Sequence, residues 1–399
     1  MKKKIIKRVL LIVLFVILGI TLVGTITVYS VWHNEINTAF SFKKIRNRNE
    51  AHKDGALYEM TVSGDYYFEE FKEKGASSDS ELISYITSHI TKGLIPMKIS
   101  ESEIGCSAFT AELENGDRIF GRNYDFARTN TCIVKTNPSH GYKSVSTIDL
   151  QFLGLATDKD VSGLMNTITA LAAPFVPLDG VNEKGVACSI FMSYQGDKET
   201  VATNQKTDKP DITSTTMLRL ILDYAATVEE AVALVEKYDL HDSAQTSYHY
   251  MVADATGRSA ILEWVNGTDK TDNDGSARKL VVTYNDADQN IGPREAAADY
   301  QWITNFIVLP EYYESDDDKP GFDRYNIIYD GLSKTNGKLK DEQSAMDILQ
   351  SVGQRYYKEG HDGCTVHSVV YNLTQHTSYF IPNENYSDDT ARFYYKLNK

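Results

Sequence analysis

The chain has 399 residues and a net charge of −14, which allows one large domain or two ordinary ones. The acidic balance argues against nucleic acid as a partner, because phosphate binding requires a basic surface. Hydrophobic residues make up 42% of the chain, which is typical of a globular protein that can form a sizeable core.

The first thirty residues differ in composition from the rest. A basic tail over residues 1–8 precedes an uncharged apolar run from Val9 to Val28. A helix needs about 20 apolar residues to cross a bilayer, and basic flanks stay on the cytoplasmic side. We therefore predict a cytoplasmic tail (1–8), a single transmembrane anchor (9–29) and an extracytoplasmic body. The alternative is a cleaved signal peptide, whose apolar region is usually shorter, about 7–15 residues.

The rest of the chain divides by composition into three parts. Residues 30–57 are polar and basic and predict a stalk. Residues 58–105 are richer in aromatic residues and contain a capping box at Ser78 and Glu81, which predicts a helix that packs on the body. Residues 106–399 form the predicted main domain. Its four cysteines show no CxxC spacing, and the domain contains no HExxH motif. No metal or cofactor is therefore expected.

Strand patterns dominate the main domain and alternate with helix patterns. Cys106–Leu113 and Arg118–Asn123 flank Asn115-Gly116, a pair typical of a hairpin turn. Other predicted strands are 185–194, 248–253, 259–265, 365–372 and 378–382, and predicted helices are 213–226, 228–238 and 341–352. Residues 266–300 predict a surface insertion. Antiparallel sheets covered by helices, an α+β layered domain, follow from this order.

Cys106 is the candidate catalytic residue. A thiol at the start of a strand is usually a small buried hydrophobe. Here Arg122 and Asp125 follow on the partner strand of the hairpin, which folds both charges back toward the thiol. A cation lowers the pKa of a thiol, and a carboxylate can orient a protonated base.

Five motifs in order resemble the choloylglycine hydrolase family of linear amide C–N hydrolases, which includes bile salt hydrolases and penicillin V acylases. They are Gly105–Phe109 followed by Phe120–Phe126, Asp179–Gly185, Thr304–Phe306, Phe322–Tyr325 and Thr365–Asn372. The resemblance implies an N-terminal-nucleophile αββα fold, in which two antiparallel sheets lie between helix layers.

The resemblance also implies a role for each matching residue. Cys106 is the expected nucleophile, and its own α-amine, freed by autocatalytic cleavage after Gly105, is the expected base. Asp125 is expected to hold that amine, and Arg122 to lie beside the thiol. Asn305 is the expected oxyanion donor, and Arg324 is expected to support the same cluster.

Two departures from the family pattern concern the oxyanion donor and the substrate contact. A Thr-Tyr-Asn run at Thr283–Asn285 competes with Thr304–Asn305, and Asn305 is preferred because Arg324 follows at a suitable distance. Relatives carry Asn or Tyr just after the inner strand, where this chain has Met192, or Ser193 with a one-residue slip. Met192 is therefore the expected substrate-binding position.

The expected reaction is hydrolysis of a small-molecule linear amide with an apolar acyl group, through a cysteine thioester. The segment Leu153–Leu178 is apolar enough to line an acyl pocket. The alternatives are a catalytically inactive cell-surface binding protein of the same fold and a secreted cysteine peptidase of another fold. Nothing in the sequence specifies the oligomeric state.

Overall fold

The computed structural model describes residues 2–93, 105–195, 201–270, 274–285, 290–291, 294–295, 300–357 and 363–397. The helices are α1 Lys2–Ser41, α2 Phe68–Lys74, α3 Asp79–Ile90, α4 Leu164–Ala170, α5 Ser214–Tyr224, α6 Val228–Val235, α7 Phe322–Ser333, α8 Glu342–Ser351 and α9 Gln354–Tyr357. The strands are β1 Lys43–Arg46, β2 Leu57–Thr61, β3 Gly105–Leu113, β4 Arg118–Phe126, β5 Thr131–Thr136, β6 Ser144–Asp149, β7 Asp179–Asn182, β8 Ala187–Met192, β9 Asp211–Thr213, β10 Asp239–His241, β11 Tyr248–Ala253, β12 Ser259–Val265, β13 Lys279–Tyr284, β14 Asn290–Ile291, β15 Arg294–Glu295, β16 Trp302–Ile303, β17 Lys338–Leu339, β18 Cys364–Asn372, β19 Thr377–Pro382 and β20 Phe393–Lys396.

Two large sheets contain most of these strands. Among the described residues, the larger sheet has nine strands in the order β1-β2-β5-β6-β7-β8-β11-β12-β13. The smaller sheet has seven, in the order β16-β3-β4-β18-β19-β20 with β17 beside β3. Both sheets are mainly antiparallel, as predicted, but β2 pairs with β5 and β17 pairs with β3 in parallel.

The smaller sheet lies between the other sheet and a helix layer. Neighbouring residues of β4 point to opposite sides, because successive strand residues alternate. Arg122 reaches Asp179 of β7 in the larger sheet at 3.3 Å. Asn123 donates from its amide to the Leu349 carbonyl oxygen of α8 at 2.8 Å.

The larger sheet shows the same alternation on β8. The ring of Phe191 lies beneath the Arg122 guanidinium of the facing sheet, 4.6 Å from it. The Cys188 thiol instead contacts the Leu218 carbonyl oxygen of α5. The layers are therefore helix, sheet, sheet and helix, which confirms the predicted α+β arrangement.

The hairpin that begins at Gly105 has the predicted register. Cys106 pairs with Tyr124, and Ala108 pairs with Arg122. The turn contains Gly116 at a φ of +87°, a backbone conformation that glycine adopts without steric penalty. The pairing places Cys106 and Arg122 on the same face, toward the larger sheet.

The N-terminal part is more integrated than a stalk. Helix α1 bends at Trp32, whose indole donates to the Ile90 carbonyl oxygen at 3.2 Å. Beyond the bend, Thr38 is buried and β1 pairs with β2 inside the larger sheet. The prediction of a stalk over 30–57 is thus corrected. The segment is polar along its sequence, but it packs on the sheet through contacts with residues that are distant from it in the chain.

The predicted surface insertion over 266–300 also contains sheet structure. Residues Lys279–Tyr284 form β13, the edge strand beside β12. Its residues are mostly half-buried, and such an edge strand has only a weak apolar pattern. The residues 271–273, 286–289, 292–293 and 296–299 of the same prediction lie outside those that the structure describes.

The predicted membrane anchor falls within α1. Across the part of the chain that the structure describes, no helix has an apolar stretch long enough to cross a bilayer. Met1, all side chains of the tail over 1–8 and part of those of the anchor over 9–29 lie outside that description. The anchor and the orientation of the chain therefore stay predictions.

Candidate active site

Cys106 is the second residue of β3 and is completely buried in the intact chain. Its side chain and its backbone face different surroundings. The thiol points into the space between the two sheets, as its pairing with Tyr124 requires. The backbone of Cys106 lies at the end of the strand, near the start of α7.

Arg122 supplies the positive charge on the thiol side. Its guanidinium is fully buried, lies over the ring of Phe191 and donates to Asp179. Burial raises the pKa of the Cys106 thiol to about 11, although the charge of Arg122 opposes that shift. In the intact chain the thiol therefore keeps its proton at neutral pH, and a reaction at its sulfur would require a base.

Asp179 forms the centre of a buried polar cluster behind Arg122. Besides Arg122, it accepts from Thr147 at 2.6 Å, from His367 at 2.9 Å and from the Tyr371 hydroxyl at 2.5 Å. Burial alone would raise the pKa of Asp179, but the neighbouring His367 and Arg122 lower it to about 2. A permanently ionised Asp179 holds Arg122 in place beneath the thiol.

Arg324, in the first turn of α7, connects the groups on the backbone side. Its Nη1 donates to the Cys106 carbonyl oxygen at 2.9 Å and to Asp125 at 3.0 Å. Its Nη2 donates to Asn305 Oδ1 at 2.7 Å. One guanidinium therefore fixes three of the four other predicted catalytic residues relative to one another.

Asp125 is held by neutral donors as well. The Thr365 hydroxyl donates to one carboxylate oxygen at 2.6 Å, and the Gln354 amide donates to the other at 3.0 Å. In the intact chain Asp125 makes no described hydrogen bond with the Cys106 nitrogen, which instead donates to Asn305 Oδ1 at 3.1 Å. Asp125 is close enough to Arg324 and Cys106 to belong to one site.

The structure separates the two candidate oxyanion residues. Asn305 contacts the Cys106 nitrogen and Arg324. Asn285 lies after β13 and bonds to Ser259 and Gly257, in the turn that joins β11 and β12. The described contacts thus join Asn305, the preferred candidate, to Cys106 and Arg324.

Met192, the predicted substrate contact, is buried at the end of β8. Its carbonyl oxygen accepts a hydrogen bond from Asn305 Nδ2 at 2.8 Å. The neighbouring Ser193 hydroxyl lies 3.1 Å from that of Ser247. In the intact chain Met192 thus contributes its backbone to the site, and Asn305 has both ends of its amide engaged.

Several polar residues of the site were missed as functional residues by sequence reasoning. They are Asp179, Thr365, Gln354 and His367, of which the first two were quoted only as parts of motifs. His367 is buried and hydrogen-bonded to Asp179. The sequence around these residues does not reveal the partners that they contact in the fold.

This arrangement defines an αββα domain with a buried cysteine at the start of a central strand. Residues 106–270 match the sequence model of the linear amide C–N hydrolases, choloylglycine hydrolase family. That match confirms the resemblance that the sequence motifs predicted. The family is one of amide C–N hydrolases.

The individual relatives resemble this chain over a short stretch or at low sequence identity. A penicillin V acylase from Pectobacterium atrosepticum is 32% identical over 97 residues, which is 22% of this chain and 25% of the relative. A mutant conjugated bile acid hydrolase from Clostridium perfringens is similar in structure at 14% identity and a TM-score of 0.43, covering 74% of this chain and 97% of the other. The penicillin V acylase of Agrobacterium tumefaciens is similar in structure at 16% identity and a TM-score of 0.42, covering 69% of this chain and 83% of the other.

Proposed function

We propose that this chain hydrolyses the C–N bond of a linear amide with an apolar acyl group, with Cys106 as nucleophile, after cutting itself between Gly105 and Cys106. One observation carries the proposal. Cys106 has Arg122 on its thiol side, and on its backbone side Arg324 joins it to Asp125 and Asn305. Position, charge and hydrogen bonding thus converge on a single cysteine.

The self-cleavage would supply the base that the buried thiol lacks. A free α-amine has a pKa near 8, so it can accept the thiol proton at neutral pH. Sulfur then attacks the acyl carbon and a C–S bond forms. The C–N bond breaks as the α-amine passes the proton to the leaving nitrogen. Water adds to the thioester, the C–S bond breaks, and the carboxylic acid leaves with the thiol restored.

The apolar acyl preference is supported by where the segment Leu153–Leu178 begins. Tyr124, the strand partner of Cys106, donates to Asp149 at 2.8 Å, and the segment starts just after Asp149. Most apolar side chains of the segment are buried in the core, but Leu164 and Met165 on α4 are exposed by 74% and 54%. Exposed apolar side chains suit contact with an acyl chain.

The experiment is mass spectrometry of the purified full-length protein, followed by a substrate panel. We expect two pieces, the second beginning at Cys106, from the natural chain, and one uncut piece from Cys106→Ala. Cys132→Ala, a change of another buried thiol, is the control and should be cut normally. Conjugated bile salts, N-acyl amino acids, acyl lactones and penicillin V form the panel. Full activity from an uncut chain would contradict the mechanism.

Binding without catalysis is a second candidate function. The departure at Met192 favours it, because that position supplies a polar side chain in the relatives that the motifs resemble. A cut chain that binds an amide of the panel but releases no amine from any of them would favour this alternative.

We also propose that the body is held at the outer face of a membrane by residues 9–29. The supporting observation is that the described apolar side chains of this stretch are largely exposed, which is unusual for a soluble surface. They include Leu14, Phe15, Leu18, Leu22, Val23, Ile26 and Val28.

A further inference from the structure

A buried histidine–glutamate pair lies behind the segment that carries Asn305. His249 of β11 and Glu263 of β12 are direct cross-strand partners, and both side chains are fully buried. Their closest atoms, His249 Nδ1 and Glu263 Oε1, lie 3.1 Å apart. Neither residue contacts the thiol, and the reaction described above does not use them.

The pair binds the backbone on both sides of Asn305. His249 Nε2 lies 2.9 Å from the Thr304 carbonyl oxygen. The Glu263 carboxylate accepts the N–H groups of Val308 and Leu309 at 2.8 and 3.1 Å. Because Asn305 follows Thr304 directly, these three hydrogen bonds hold the segment before and after it.

The Thr304 carbonyl defines the tautomer of His249. A carbonyl oxygen only accepts, so His249 must carry hydrogen on Nε2. On the other side of the ring, Val308 and Leu309 donate to the Glu263 carboxyl group that lies beside His249 Nδ1. Every polar side-chain atom of the two residues therefore has a partner, as burial requires.

Asn305 needs such support because each end of its amide makes a contact that the site depends on. Its Oδ1 accepts from both Cys106 and Arg324, and its Nδ2 donates to Met192. A displacement of about 1 Å at a positioned group can lower a rate by about 100-fold. If the pair were lost, the 304–309 segment could shift and carry Asn305 away from Cys106.

We infer that His249 and Glu263 are positioning residues: a buried, hydrogen-bonded pair that fixes the 304–309 segment so that Asn305 stays beside Cys106. The catalytic part of this inference rests on the proposed amide hydrolysis, in which Asn305 acts. The contact of His249 with the segment does not.

The first test is therefore independent of activity. Nitrogen NMR of histidine-labelled, full-length Cys106→Ala protein at pH 8 reports the hydrogens on each ring, and loss of a signal in His249→Gln assigns it. We expect hydrogen on Nε2 of His249, because the Thr304 carbonyl oxygen can only accept. A bare Nε2 would overturn the contact of His249 with the segment.

The second test measures kcat and KM on cut enzyme. His249→Phe keeps a ring but removes both ring nitrogens, and we expect kcat to fall about 100-fold with KM changed little. His249→Gln keeps one donor for the Thr304 carbonyl and should recover part of that loss. The matched control is His241→Phe. His241 is also a histidine facing a carboxylate, 2.7 Å from Asp211, but it lies on β10, which pairs with β9 in a separate two-stranded sheet.

The outcomes separate the two levels of the inference. Unchanged kcat in His249→Phe, or an equal loss in His241→Phe, would overturn the positioning role. If the natural enzyme hydrolysed no amide of the panel, the proposed function would fail, while the NMR measurement would still decide whether His249 binds the Thr304 carbonyl.

Discussion

Asn305 and Asn285, the two candidate oxyanion donors, lie in different surroundings. Asn305 contacts the Cys106 nitrogen and Arg324, whereas Asn285 bonds to the turn between β11 and β12. Because removal of an oxyanion donor typically lowers kcat by about 100-fold or more, we expect that loss in Asn305→Ala. Asn285→Ala, the matched control, should leave kcat close to that of the natural enzyme. The reverse ranking, measured on cut enzyme, would exclude Asn305 as the donor.

Glu384 should make stability depend on pH. Burial raises its pKa to about 7, so the folded chain holds this proton more tightly than the unfolded chain, in which the pKa is about 4.3. The stability that Glu384 contributes is therefore greatest in acid and declines as pH rises from about 4.3 to about 7. Glu384→Gln removes this decline and can still accept from the Thr365 and Arg355 backbone.

The measurement is urea unfolding in the Cys106→Ala background, which keeps the chain in one piece. At pH 8 we expect Glu384→Gln to be more stable than its parent by up to about 3 kcal/mol. At pH 5 the difference should be much smaller. An equal difference at both pH values would show that the carboxyl titrates normally in the folded state.

Among the elements, β2 ties the N-terminal part to the catalytic part. It lies between β1 and β5, and Leu57 and Met60 are fully buried in the common core. Further along, Tyr66 donates to the buried Asp223, and Asp54 pairs with Arg355 at 2.7 Å. Residues 1–105 contain no cysteine, so non-covalent packing alone would hold the two pieces together after cleavage.

We expect the two pieces to elute together in gel filtration. Met60→Ala should lower the urea concentration at which they separate, because truncating a buried methionine costs about 2–5 kcal/mol. Its neighbour Thr61 is exposed, and Thr61→Ala should change stability by about 0.5 kcal/mol or less. Pieces that separate without denaturant would show that the interface of β2 with β5 is too weak to hold them.

Elements set by neighbouring residues could be predicted from the sequence, whereas contacts between residues distant in the chain could not. The β3–β4 hairpin follows from Asn115-Gly116, and the predicted bounds of β11 and β12 are those observed. The pairing of β2 with β5 has no such signal, because about 70 residues separate parallel partners that share no turn. Arg324 and Asn305 were predicted only through the resemblance to the family. His249 and Glu263 were not predicted, because their role depends on the backbone that they contact in the folded chain.

At the scale of the whole molecule, the anchor prediction concerns orientation. The basic residues before position 9 should stay in the cytoplasm, which places the body outside. Protease added to intact cells should therefore digest the body, and the same cells opened with detergent provide the control for protease activity. Complete protection in intact cells, with digestion after opening, would reverse the orientation.

The position of β2 in the larger sheet also changes what unfolding would mean for a cut chain. In the intact chain β2 and β5 are tethered, and refolding is a unimolecular process. Once the bond before Cys106 is cut, unfolding releases two molecules, and recovery requires their encounter, so it slows on dilution. The lifetime of the mature protein would then be set by the rate at which the pieces first separate rather than by an equilibrium. A cut chain would therefore be one that had folded before it was cut.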